Sequence, residues 1–123
     1  MMHSLKDAYV LPYDRTCMHE CVFSASRQVE KGVHALDIAK ALIDEGYHPP
    51  TIYFPMIVKE AMMFEPTETE SKETMDAFIG AMHRIAQRVE TDPEGLHEAP
   101  VTTPVSRLDE TKAVKDMDLC YRN

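Results

Sequence analysis

Cys17, His19 and Cys21 alternate along the chain, and alternate residues of a β-strand share one face, as metal ligands would have to. A closed zinc site wants four ligands, however, and the only other thiol, Cys120, lies near the far end of the sequence. The three side chains are therefore expected to share a half-buried strand face without metal. A Cys21 nucleophile activated by His19 is disfavoured too, because side chains two apart on a strand diverge and no third group is at hand to orient the base. Glu65, Glu68, Glu70 and Glu73 form a second constellation. Paired carboxylates can act as general acid and general base. Acidic residues at a helix start also stabilise its positive end, which accounts for Glu68, Glu70 and Glu73. Glu65, ahead of Pro66, is not explained by capping and is the carboxylate expected to face a cleft. His48 precedes Pro49-Pro50 and is held in a rigid turn, while Arg27, in a loop, has the fork to bind a carboxylate bidentately. The four glycines, at 32, 46, 80 and 95, are isolated, so there is no glycine-rich phosphate loop.

These residues need elements to position them. Residues 1–16 carry few periodic apolar positions and a proline, which suggests an N-terminal arm rather than a core element. Residues 17–23 suit a strand. Leu36, Ala39, Leu42 and Ile43 recur at helical spacing up to Gly46, a suitable C-cap before Pro49-Pro50. Residues 51–54 and 61–65 are short β-branched, aromatic and apolar runs punctuated by prolines, expected as two further strands. Met75, Phe78, Ile79, Met82, Ile85, Ala86 and Val89 place one stripe on a helix over about residues 70–90, with Thr67 and Glu70 spaced as a capping box. Asp92-Pro93 starts a short helix, and Ser106 with Asp109 opens a last one. The expected architecture is α+β, a two-layer sandwich with helices on one face of a small, mostly antiparallel sheet. An α+β domain over residues 17–98 precedes a C-terminal tail, 99–123, with a short helix. The other sheet face, if apolar, needs a neighbouring domain or subunit.

At 123 residues, 44% of them hydrophobic, the chain has material for one core. Its net charge of −8 is spread along the sequence with no stripe of Lys and Arg, which argues against nucleic acid as a partner. No apolar stretch reaches the roughly 20 residues of a spanning helix, and the first residues lack the apolar core of a signal peptide. A cytoplasmic protein, without membrane association, is expected. Three cysteines without framework spacing point to reduced thiols. The nine methionines fall mostly in apolar runs, where they fill core space.

Four segments carry a more specific signal. His19-Glu20-Cys21, Leu36-Asp37-Ile38-Ala39-Lys40, Gly46-Tyr47-His48-Pro49-Pro50-Thr51 and above all Glu65-Pro66-Thr67-Glu68-Thr69-Glu70-Ser71-Lys72 occur in this order. Together they resemble the C-terminal region of glycine dehydrogenase (decarboxylating), the P protein of the glycine cleavage system. The likeness covers roughly residues 5–110, and the tail Thr102-Thr103-Pro104-Val105-Ser106-Arg107-Leu108-Asp109-Glu110 looks like the second subunit of the two-subunit bacterial form.

The resemblance implies an oxidoreductase of glycine catabolism with an aspartate-aminotransferase-like fold. This segment would be its small C-terminal domain, beside a large domain that binds pyridoxal phosphate. It also implies that glycine is decarboxylated and its aminomethyl group passed to the lipoyl arm of H protein, with the first P-protein subunit as a further partner. In the family the catalytic lysine follows a histidine upstream of this region; none of Lys6, Lys31, Lys40, Lys59, Lys72, Lys112 or Lys115 does so. The chain alone is therefore expected to contribute no catalytic or cofactor-binding residue, to bind no pyridoxal phosphate and to be inactive. His19, Glu20, His48, Glu65 and Thr67 match the family and are expected to line or support the cleft wall; the surroundings of Arg27 match less well. The alternative is a free-standing, non-catalytic ligand-binding or oligomerisation module.

Overall fold

In the computed structural model, which describes residues 1–121, the elements run α1 (Met2–Leu5), β1 (Cys21–Ser24), a 3-10 turn (Gln28–Lys31), α2 (Ala35–Asp44), β2 (Thr51–Ile52), β3 (Ala61–Phe64), α3 (Lys72–Thr91), α4 (Pro93–His97) and α5 (Glu110–Lys115). The architecture is α+β, with a three-stranded antiparallel sheet ordered β1-β3-β2. Central β3 sets Cys21 opposite Phe64, Phe23 opposite Met62 and Ile52 opposite Met62. These residues face the helices. Phe23 and Phe64 meet edge to face at 5.9 Å, in a core with Ile38 and Leu42 of α2, Met82, Ile85 and Val89 of α3, and Leu96 of α4. Val22 and Met63, also opposite each other, are half-buried on the other face.

The helix ends show how local chemistry sets the elements. At the start of α2 the Asp37 carboxylate accepts the His34 amide at 2.8 Å. Its end is closed by Gly46, whose φ of 84° suits glycine, with the Tyr47 amide donating to the Leu42 carbonyl at 2.9 Å. Asp92 accepts from the Gly95 amide to cap α4, and Asp109 accepts from the Lys112 amide to cap α5. The start of α3 differs from the expectation. Ser71, not Thr67, caps it by accepting the Thr74 amide at 3.1 Å, and Glu73 is the acidic residue of the first turn. The Thr67–Glu70 spacing instead closes a turn, in which the Glu70 amide donates to the Thr67 carbonyl and the two hydroxyls of Thr67 and Thr69 lie 2.7 Å apart.

The strand expected over residues 17–23 is also shorter. β1 begins at Cys21, paired with the last residue of β3, after which Glu65-Pro66 turns away and Pro66 has no amide to donate. Cys17 and His19 therefore lie outside the ladder and do not share a strand face with Cys21. β2 stops after Ile52 because Tyr53 adopts a φ of 58°. Peptide bonds 54–55 and 99–100, each before a proline, are cis.

The segment expected as an arm contributes to the core. Leu5 and Tyr9 have no exposed surface, and the Tyr9 hydroxyl donates to the Met82 carbonyl of α3 at 2.9 Å. Val10 then bridges Ser24, with amide-to-carbonyl distances of 3.2 and 2.8 Å, which covers the outer edge of β1.

Candidate functional site

The turn after α2, the end of β3 and the first turns of α3 converge on one cleft of about 330 Å³. Its floor is aromatic: Phe78 meets Tyr47 at 5.2 Å and Phe64 at 5.4 Å, both edge to face. Met63 and Met75 extend the apolar wall, and His48, Glu65, Thr67, Glu70 and Thr74 supply the polar rim. The sequence explains the placement. Gly46 ends α2 so that the rigid Pro49-Pro50 turn can hold His48, whose Nδ1 lies 2.9 Å from the Pro49 carbonyl oxygen, while Pro66 ends the strand and leaves Glu65 at its mouth. Three residues singled out by type and position, His48, Glu65 and Thr67, thus share one hollow.

His19 and Glu20 lie in a second recess of about 380 Å³, with Tyr13, Cys17, Met18, Cys21 and Pro55. His19 Nε2 is 3.8 Å from a Glu20 carboxylate oxygen and 4.0 Å from one of Glu65. Glu65 is therefore the link between recess and cleft. All three side chains are 41–58% exposed, so these are solvent-screened pairs that orient more than they stabilise. Burial, followed by the neighbouring Cys17, pushes the Cys21 thiol up to about 11. It stays protonated at neutral pH and is a poor nucleophile. Among the described residues no group of three His, Cys, Asp or Glu side chains is arranged to hold a metal, and no lysine lines either hollow.

Arg27 belongs to neither hollow. Its guanidinium donates to the Lys6 and Asp7 carbonyls, at 3.4 and 2.8 Å, and so braces the N-terminal segment. A different arginine makes the buried carboxylate contact. Arg107 Nη2 lies 2.8 Å from the Asp37 carboxylate, whose side chain is only 6% exposed and also faces His97 Nδ1 at 3.4 Å. The same guanidinium donates to the Ala99 and Leu96 carbonyls. Asp44 fastens the next stretch of tail by accepting from the Val101 and Thr102 amides and the Thr102 hydroxyl at 2.7–3.0 Å. Asp37 and Arg107 lie within the distinctive sequence segments, but nothing local announces that they pair.

Over residues 1–120 the chain matches the family described as "Glycine dehydrogenase, C-terminal domain". It is 60% identical over 121 residues to "Probable glycine dehydrogenase (decarboxylating) subunit 2" of Bacillus velezensis, covering 98% of this chain and 25% of that protein. Proteins of the same description from Lysinibacillus sphaericus and Listeria innocua are 57% and 56% identical over 122 residues, with 99% of this chain and 25% of each relative covered. The chain thus spans about a quarter of the length of the curated relatives it matches.

Proposed function

Because this chain belongs to the glycine dehydrogenase C-terminal domain family, we propose that it forms one wall of the active-site cleft in a complete glycine decarboxylase. The observation that carries this reading is the convergence of His48, Glu65 and Thr67 on one aromatic-floored hollow, with His19 and Glu20 joined to it through Glu65. Tyr47, Phe64 and Phe78 would exclude water from the reacting centre, where a carbanion must survive without being quenched by a stray proton. The rim carboxylates and His48 would accept or donate hydrogen bonds to orient an amino-acid substrate. The apolar floor also suits the aliphatic lipoyl arm of H protein, and the first P-protein subunit completes the assembly in this reading.

Pyridoxal phosphate, the electron sink that the family's reaction uses, does not fit the cleft that holds His48, Glu65 and Thr67. No lysine lines the cleft or recess among the described residues, and Glu65 and Glu70 would confront a phosphate with like charge. The cofactor, its lysine and its phosphate site are therefore proposed for the large domain of the full-length protein. Among the described residues no helix is long and apolar enough to cross a membrane, which suits a cytoplasmic enzyme.

The test is Glu65→Gln and His48→Gln in the full-length protein, assayed for glycine decarboxylation with the first P-protein subunit and lipoylated H protein. Both side chains are exposed, so thermal stability should be unchanged. Turnover should fall by roughly tenfold or more through lost orientation. Wild-type kcat and KM in both variants would remove these residues from the cleft wall.

A further inference from the structure

The loop between β2 and β3 carries an apolar tip that the fold leaves uncovered. Phe54 is 53% exposed, Met56 89% and Ile57 83%. Pro55 joins the tip to the recess that holds Tyr13 and Met18, the latter 95% exposed. Several large apolar side chains left exposed on one short loop point to a binding surface in a folded protein.

The tip stands on a fixed base. Val58 is buried, and its amide donates to the Pro55 carbonyl at 2.9 Å. The Ser24 hydroxyl donates to the Lys59 carbonyl at 2.6 Å, and the Ala25 amide to the Glu60 carbonyl at 2.9 Å. The Glu60 carboxylate accepts the Ala35 amide at the start of α2 and lies 3.1 Å from His34 Nδ1. Tyr53 and Glu60, on either side of the tip, hold φ values of 58° and 52°. Side chains other than glycine adopt that backbone only when their surroundings enforce it. An apolar tip on an enforced base is preorganised, and preorganisation lowers the entropic penalty of docking.

We infer that Phe54, Met56 and Ile57 form a docking wedge for an apolar recess on the polypeptide that precedes this region in the full-length protein. This rests on the reading of the chain as one part of a longer enzyme. The relatives are four times as long as the matched region, so a large body of the same polypeptide is available to cover the tip. The wedge adjoins the recess that shares Glu65 with the cleft. Docking there would place the preceding polypeptide over the candidate site.

A photo-crosslinking residue substituted for Met56 in the full-length protein reports the occupant directly. The expected adduct joins position 56 to an upstream segment of the same polypeptide. An adduct to a second copy or another subunit, or none, overturns the wedge. Met56→Asp combined with Ile57→Asp gives an independent reading. It should lower the melting midpoint of the full-length protein by several degrees and leave that of the present chain unchanged, since both side chains are already exposed here; equal effects in the two overturn the wedge. Glycine turnover, measured on the same unsubstituted full-length protein supplied with the first P-protein subunit and lipoylated H protein, separates the two hypotheses. Turnover without an upstream adduct sinks the wedge alone, and an adduct without turnover sinks the proposed function alone.

Discussion

Replacing Asp37 with alanine is expected to destabilise the chain by about 2–3 kcal/mol at neutral pH. The carboxylate is 6% exposed and accepts from the His34 amide and from Arg107, each at 2.8 Å. Loss of the helix-start contact costs about 1 kcal/mol, and loss of a charge-assisted bond costs about 1.5–3 kcal/mol. The lower end applies to the second, because Arg107 is 30% exposed, and His97, 37% exposed and 3.4 Å away, adds little. Burial pushes the Asp37 carboxyl up, but the His34 amide, Arg107 and His97 outweigh it and hold the group below its usual value. The unfolded chain therefore takes up the proton first as pH falls. Asp37's contribution is complete above the unfolded value, about 4, and is lost as pH falls through the depressed folded value. Denaturant melts of wild type, Asp37→Ala, Arg107→Ala and the double variant measure the coupling. It should be near 1.5 kcal/mol at neutral pH and shrink in acid. Additive losses at neutral pH, or a wild-type advantage over Asp37→Ala that is unchanged in acid, would refute the reasoning.

Three further outcomes are expected. Ser71→Ala should lose about 1 kcal/mol in urea melts, whereas Thr67→Ala should stay within about 0.5 kcal/mol of wild type, reversing the order that the sequence spacing suggests. Leu5→Ala, at a fully buried position, should cost about 2–5 kcal/mol, and a change under about 0.5 kcal/mol would mean that the N-terminal segment is not packed. Borohydride treatment of the isolated chain with stoichiometric pyridoxal phosphate should leave no specific lysine adduct in its peptide map, and a single modified lysine would contradict a cofactor site located elsewhere.

The parts legible in the sequence are those governed by short-range periodicity. Ala39 and Leu42 in α2, and Met82, Ile85 and Val89 in α3, are buried as their spacing predicts, because a helix repeats its buried face every few residues; Leu36 and Ile43 of the expected α2 stripe are half-buried, and Ile38 takes the core position instead. His48 and Glu65 stood out because prolines beside them restrict the backbone, and both line the cleft. Sequence spacing misplaces the start of α3, because Thr67–Glu70 fits a capping box and a tight turn alike; in the folded chain the Glu70 amide donates to the Thr67 carbonyl and Ser71 accepts the Thr74 amide. Met1, Met2, Leu5, Ala8 and Tyr9 do have helical spacing, but the run is short and Pro12 follows it, so the packed turn reads as an arm in the sequence. Asp37 and Arg107 are 70 residues apart, so their pairing is a property of the folded chain and of no local pattern.

The packing of Leu5 and the Tyr9 bond to Met82 set a rule for recombination. A chimaera that joined this domain to a foreign partner anywhere between residues 6 and 16, where composition suggests a tolerant linker, would exchange the residue that fills the core, the one that anchors α3, or the Val10 bridge on β1. Crossovers should survive upstream of Met2 and fail from residue 6 through residue 16. Homologous exchange is therefore expected to carry these first residues with the domain as a single inherited block, and a library of chimaeras scored for soluble expression would display that block as a gap in the tolerated junctions.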